Sequence, residues 1–440
     1  AIPAGNLLVE HFLFSPPVGG VDSLTVEGFP FQSVRMKRSQ PESLPAWTWR
    51  AKGWGWRQSL LWLLAVAPGL LGASLGRAFD STECQAVLER GVKERAFPGC
   101  TAVVGTEAGV LWSGAIGHHD YTNRVPVRPD TIYDLASVTK VAGTTAVFMR
   151  LVALGKVRLS DPVSRYVPAF AAGGATPEER ARRERVTVEH LLTHSSGLPS
   201  WKPFYRSVNS YPALLEAVCQ TPLESAPGER VRYSDCGMML AGEVAARAGG
   251  KPLKALEREL VFEPLGMTHT LRCPDASLAN RIPPTEVEAG TGQAVHGIVH
   301  DENARAGGGE TGHAGLFATA EDLGKLAREL LRACQGRSGL FPREVVNEFF
   351  RPRQIGRATR AVGWNLMEEK PGRMMNHNGF TGTYLELDLD RNRFVVLLTN
   401  RVHPSRDNNS VSRVRREFLA AVERQFDPPA GRQAAERSDR

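Results

Sequence analysis

Strand-like and helix-like runs are segregated along this chain, and that segregation constrains its fold more than any other feature. Thr101–Gly105 and Val110–Gly114 read as two strands, with Glu107-Ala108-Gly109 as the turn that makes them a hairpin. Strand patterns return only beyond Arg360, as Ala361–Leu366, Arg373–His377, Thr383–Leu389 and Phe394–Leu398. Asp390-Arg391-Asn392 joins the last two as a second hairpin. From Gly155 to about Thr319 the chain reads as helices and loops, including a helix over Met238–Ala248 ended by Gly249-Gly250. The strands of the two ends have to meet in one sheet, which leaves the helical middle as an inserted layer or subdomain. The expected fold class is therefore α+β. An antiparallel sheet is flanked by helices over 81–95, Glu321–Ala333 and Val411–Gln425.

A chain of 440 residues can bury a sizeable core, and 42% hydrophobic with 23% charged residues is a soluble, globular composition. The net charge of +7 comes from basic residues interspersed with acids. The densest run, Pro177–Arg185, alternates in sign and reads as a solvated loop or helix end, so no nucleic-acid partner is expected. The cysteines at 84, 100, 219, 236, 273 and 334 form no C-x-x-C pair and read as buried free thiols.

Residues 1–56 hold Pro-Pro and Gly-Gly without a sustained period and read as a poorly ordered extension, with Met36-Lys37-Arg38 as an alternative start. Gln58–Gly76 is uncharged, Leu-rich and flanked by Arg57 and Arg77, which makes 57–79 a signal peptide or membrane anchor. The expected folded domain is 80–428, with its helical subdomain at about 155–320, followed by a disordered polar tail over 429–440.

Three stretches carry chemistry. In Ser137-Val138-Thr139-Lys140 a helical segment puts the lysine amine one turn from the serine hydroxyl, where it can act as a base if burial lowers its pKa. In Arg232-Tyr233-Ser234-Asp235 the tyrosine can shuttle a proton if nearby cations favour its ionised form. In His377-Asn378-Gly379-Phe380 a strand end can hold substrate, and the Phe380 amide can join the Ser137 amide in an oxyanion hole.

In this order and on these elements, the stretches resemble the S-x-x-K, Y-x-N and K-T-G set of serine penicillin-recognising enzymes. The chain resembles the class C β-lactamase-like family from about Phe97 to Phe418. Supporting stretches are Tyr133–Ser137, His190–Leu198, Gly312–Leu323, Gly379–Thr383 and Val395–Arg401. The resemblance implies a β-lactamase/transpeptidase-like fold with Ser137 as acylated nucleophile and Lys140 and Tyr233 as proton carriers. Asp235, His377, Asn378, Gly379 and Phe380 would then bind substrate. Together with the signal-like segment it implies an exported (periplasmic or extracellular) serine hydrolase, anchored to the membrane if 58–76 is retained; a monomer without a cofactor is expected. The substrate would be a D-amino-acid peptide of the cell wall or a small ester, with weak penicillin binding. Two departures bear on this. Asp235 stands where the family has Asn; it cannot donate an amide hydrogen bond, but it can pair with Lys140, hold it protonated and make Tyr233 the base. His377 stands where lysine is common and is a weaker anchor for a carboxylate. Both argue against the alternative of an efficient β-lactamase, and the intact Ser137, Lys140 and Tyr233 argue against a non-catalytic scaffold. His296, His300, Asp301 and His313 match no standard metal-ligand spacing and read as hydrogen-bonded histidines near the cleft.

Overall fold

The computed structural model describes residues 78–426 apart from 369 and 371. The expectations for 1–56, for 429–440 and for all but the last two residues of 57–79 lie outside the described residues. Among the described residues no helix is long and apolar enough to cross a membrane.

The strands are β1 (Gly99–Thr106), β2 (Gly109–Gly117), β3 (Tyr133–Asp134), β4 (Leu271–Arg272), β5 (Leu316–Ala318), β6 (Arg353–Ile355), β7 (Ala358–Arg360), β8 (Asn365–Leu366), β9 (Met374–Asn378), β10 (Tyr384–Asp388) and β11 (Arg393–Thr399). The two ends meet as expected, in a six-stranded sheet of order β2-β1-β11-β10-β9-β8. The seam is the antiparallel β1–β11 pair, in register at Val103↔Val396. Side chains alternate across the sheet. Ala102, Val104, Val395 and Leu397 face the terminal helices Thr82–Lys93 and Val411–Phe426, while Val103, Val396 and Leu398 face the helical body. Both faces are covered, so β11 is buried along its whole length.

Several expectations shift. The run Ala361–Leu366 shrinks to β8, because Ala361, Val362 and Trp364 pack into the helical core instead of pairing. The hairpin β6–β7 and the small sheet β3-β5-β4 were not legible, since their strands are two or three residues long. The helix expected from Ser137 is a composite: a 3₁₀ turn Ala136–Val138, a π-helical stretch Lys140–Thr145 and an α-helix Ala146–Ala153. The charged run at 177–185 is not wholly solvated. It forms the helix Pro177–Glu184, in which Arg183 is fully buried, paired with Glu179 at 2.9 Å and donating to the Phe170 and Thr221 carbonyls. Of the cysteines, Cys273 is exposed and Cys334 half-buried, so only four are buried thiols.

A second buried ion pair positions the site. Arg272 of β4 and Glu257, both fully buried, meet at 2.6 and 2.8 Å, and Arg272 also donates to the carbonyls of Gly309 and Ala314. These bonds fix the 309–314 loop on the helical layer. Removing one member of such a pair leaves an uncompensated buried charge. Glu257→Ala is expected to lower unfolding free energy by about 3–5 kcal/mol in urea titrations; a loss under about 1 kcal/mol would mean the pair does not hold the loop.

Candidate active site

Short β3 runs antiparallel to β5 and delivers the chain into the Ser137 turn. The turn is tight: Ala136 has φ of 44°, an uncommon value for a side-chain-bearing residue. The buried Asp134 carboxylate supports it by accepting from the Ala136 amide at 2.8 Å and the His300 amide at 2.7 Å. Beginning the helix with a 3₁₀ turn brings residues three apart nearly over one another. Lys140 Nζ accordingly donates to Ser137 Oγ at 2.9 Å.

Lys140 is fully buried, and two further groups hold its ammonium. It donates to the His313 carbonyl at 2.8 Å and pairs with Asp235 Oδ1 at 2.8 Å. Burial alone would push the amine's pKa down, but the adjacent Asp235 carboxylate and the Tyr233 oxygen outweigh it and raise it above the ordinary lysine value. The expectation of a lysine turned base by burial is thus corrected. The pairing with Asp235, the other course open to the sequence, is the one found.

Asp235 begins the helix Asp235–Gly249, capped by Ser234, whose Oγ accepts from the Gly237 amide at 2.9 Å. The preceding Tyr233 is 36% exposed, open to an incoming ligand, with its ring centroid 5.0 Å from Lys140 Nζ. Two imidazoles flank it, at centroid distances of 4.6 Å for His194 and 6.1 Å for His377. His194 Nδ1 accepts from the Ser234 amide at 3.1 Å, so its Nε2 carries the hydrogen. His377 Nδ1 lies 2.9 Å from the Asn378 carbonyl, so there Nε2 is the free acceptor. Burial, then the charges of Lys140 and Arg360, hold His377 at about 3, and burial with Arg360 and Lys140 pushes His194 well down. Both rings are neutral at physiological pH.

His377 and Asn378 close β9, with His377 buried and Asn378 exposed. The next residues are stitched to the Ser137 turn: Thr381 Oγ1 donates to the Asp134 carbonyl and Thr383 Oγ1 to the Leu135 carbonyl, each at 2.8 Å. Gly379 lies in that seam, where a Cβ would run into the Thr383 hydroxyl and the Leu135 carbonyl. This close approach is why the position takes glycine. Phe380 is exposed, stacked on His300 at 5.7 Å and under the Arg401 guanidinium at 4.5 Å.

The structure therefore gathers Ser137, Asp235 and Tyr233 around the Lys140 ammonium, with His377 beside Tyr233 and Gly379 and Phe380 next to the Ser137 turn. His313 pairs with Asp301 at 2.8 Å, His300 with Glu286 at 3.1 Å, and His296 bonds backbone carbonyls. Sequence reasoning missed Asp134, His194 and Arg360. The Asp-x-Ala spacing before Ser137 could have flagged Asp134 as a turn-former; nothing local marks the other two. Chemically, a hydroxyl held by a cation, with a phenol above and two neutral imidazoles alongside, suits covalent acyl transfer.

Fold and site together define a serine hydrolase, and the chain belongs to the β-lactamase family, which it matches over residues 84–420. A 307-residue alignment with a "Putative D-alanyl-D-alanine carboxypeptidase" of Escherichia coli (strain K12) is 32% identical and covers 62% of this chain and 70% of that protein. An N-acetylmuramyl-L-alanine amidase of Bacillus subtilis (strain 168) is 29% identical over 347 residues, covering 70% of this chain and 78% of that protein. Among solved structures, EstCE1, a hydrolase with promiscuous acyltransferase activity, superposes with a TM-score of 0.64 at 21% identity, over 78% of this chain and 98% of its own. A class C β-lactamase from Rhodobacter sphaeroides gives 0.62 at 19% identity, over 77% and 99%. At these identities the structural likenesses establish the β-lactamase/transpeptidase-like fold.

The Lys140–Asp235 pair gives a pH-dependent test. Because Lys140 titrates above its unfolded value, the pair's stabilisation is full below about pH 10 and is lost as pH rises through the folded value. Asp235→Asn is expected to cost about 3 kcal/mol at pH 7, with the gap in melting temperature from the wild type closing above about pH 10. A gap that does not narrow at high pH would show that the pair is not its source.

Proposed function

We propose that this hydrolase acts through an acyl-enzyme on Ser137. Its preferred substrates in this reading are D-amino-acid peptides of the cell wall, cleaved in the manner of a DD-carboxypeptidase or D-aminopeptidase. Small esters are lesser substrates, and penicillins bind weakly. The observation that carries the reading is the buried Lys140 ammonium, 2.9 Å from Ser137 Oγ and 2.8 Å from Asp235. A lysine already protonated cannot take the serine proton, so Tyr233, beside it, receives that proton as Oγ attacks the carbonyl. The Oγ–acyl bond forms, the scissile C–N bond breaks, and the proton passes to the leaving amine. A water then attacks the acyl carbon, returns a proton to Ser137 and frees the acid. The Ser137 and Phe380 amides bind the oxyanion, and Asp235, His377, Asn378 and Gly379 line the substrate's path.

The relatives support the peptide side of this reading, since those named above are called a carboxypeptidase and an amidase. Asp235 lacks a donor for a β-lactam side-chain carbonyl, and neutral His377 offers no charge to its carboxylate, which disfavours efficient β-lactamase action. A cell-wall substrate requires export, which fits 57–79 as a signal or anchor and 80–428 as the catalytic domain, working as a monomer.

Ser137→Ala is expected to reduce hydrolysis of D-alanyl peptides and p-nitrophenyl butyrate to background, and Tyr233→Phe to lower kcat/KM by about 10²–10⁴-fold. Turnover undiminished in Ser137→Ala would refute the proposal. Because His377 stays neutral, His377→Gln should change the rate without moving the acid limb of the kcat/KM profile between pH 5 and 8. A displaced limb would assign that ionisation to His377.

A further inference from the structure

Residues 379–382 form a tight β-turn, in which the Gly379 carbonyl accepts from the Gly382 amide at 3.0 Å. In a trans peptide the carbonyl and the amide point opposite ways, so the Phe380 N–H is aimed out of the turn. Its exact direction depends on what holds the turn. Arg401, buried two residues beyond β11, gives its backbone amide to the Thr381 carbonyl at 2.9 Å and its Nε to the Phe380 carbonyl at 2.8 Å. Its guanidinium also lies 4.5 Å from the centre of the Phe380 ring. Nη1 anchors the same side chain elsewhere, donating to the carbonyls of Arg406 at 2.7 Å and Asn408 at 2.9 Å. Gly382, with φ of 102°, is the glycine this packing needs, because a Cβ there would run into the Arg401 side chain and the Thr399 hydroxyl. The acceptors around Arg401 are neutral carbonyl groups, so its guanidinium places backbone rather than neutralising an acid.

Resting on the proposed acyl-enzyme and its Phe380 oxyanion donor, we propose that Arg401 is a positioning residue that fixes the 379–382 turn, so that the Phe380 N–H is aimed at the oxyanion before substrate arrives. A donor aimed in advance needs no reorganisation as negative charge develops on the carbonyl oxygen. A misplacement of about 1 Å costs about 10²-fold in rate. The Thr381 and Thr383 hydroxyls already fasten this stretch to the Ser137 turn, and Arg401 ties it to the chain after β11. The turn is thereby held from two segments far apart in sequence. Arginine suits the task because its donors are set in a rigid planar fork, so Nε and Nη1 reach different segments at once; a lysine ammonium has no such fork.

The test measures acylation by p-nitrophenyl butyrate in pre-steady-state bursts, and inhibition by 1-butaneboronic acid, whose adduct on a serine is tetrahedral and anionic. Arg401→Gln is expected to lower the acylation rate constant by about 10²-fold, while the dissociation constant of the ester stays within about threefold. The boronate's inhibition constant should rise by the factor that the rate constant falls. Partial unfolding would not produce that match, because it removes active enzyme without changing an inhibition constant. Arg401→Lys should lie between the two, and it carries the same comparison should Arg401→Gln fail to fold. Phe380→Pro removes the N–H at a turn position that suits proline and should show both losses. Arg183→Gln, in the helix Pro177–Glu184, is expected to lose stability and leave both constants as they are. Unchanged acylation in the Arg401 variants, slower acylation with an unchanged boronate constant, or the same losses in Arg183→Gln would overturn the proposal. Losses in Phe380→Pro without losses in Arg401→Gln reject Arg401 alone, and no loss in either also removes the Phe380 amide from the oxyanion hole. Failure of the acyl-enzyme itself reads differently: Ser137→Ala would still turn over the ester.

Discussion

A lysine ammonium with no exposed surface is the constraint on which the site depends. An ion of that size costs several kcal/mol to bury, and the cost is offset only by well-placed partners. Lys140 has three, each from a different part of the chain: Ser137 from its own turn, Asp235 from the start of a helix, and the His313 carbonyl from the loop before β5. Satisfying one charge therefore draws three segments together. The 3₁₀ turn and the positive φ at Ala136 follow from it, because a regular helix entered directly from β3 would not stack Ser137 over Lys140 in this way.

The surrounding structure serves the same convergence. Arg272 and Glu257 hold the 309–314 loop that presents the His313 carbonyl. Thr381 and Thr383 bond the carbonyls of Asp134 and Leu135, so the chain after β9 is fastened to the Ser137 turn. His194 secures the Tyr233 loop through the Ser234 amide. The site is positioned by buried side chains on strands and helix starts, where packing limits the alternatives. Its charge balance is lopsided: Asp235 neutralises Lys140, and Arg360 is left with only a neutral amide. Two depressed histidines, His194 and His377, register that excess positive charge along with their burial.

The sheet was legible because strand periods in Thr101–Gly105 and Phe394–Leu398 are local, and a hairpin at each end leaves few ways to close a sheet. Ser137, Lys140 and Tyr233 were legible because each sits in a short motif whose chemistry depends on spacing along the chain. Asp235 was legible as a choice between two roles, and a 2.8 Å contact decides it. Arg183 read as solvated because burial of a charge by backbone carbonyls of Phe170 and Thr221 has no sequence signature. Arg360 and His194 escaped for a related reason: Arg360 is placed by a side-chain bond to Asn365 and His194 by a positive-φ turn, neither of which is a period or a motif.

The claim that everything else rests on is covalent: Ser137, held by a protonated lysine, takes the acyl group. Acid-quenching the enzyme during turnover of p-nitrophenyl butyrate and mapping the adduct by peptide mass spectrometry tests it directly. One butyryl group is expected on the peptide carrying Ser137, absent when that serine is alanine. Steady turnover with no adduct there, or an adduct that persists in Ser137→Ala, would contradict it.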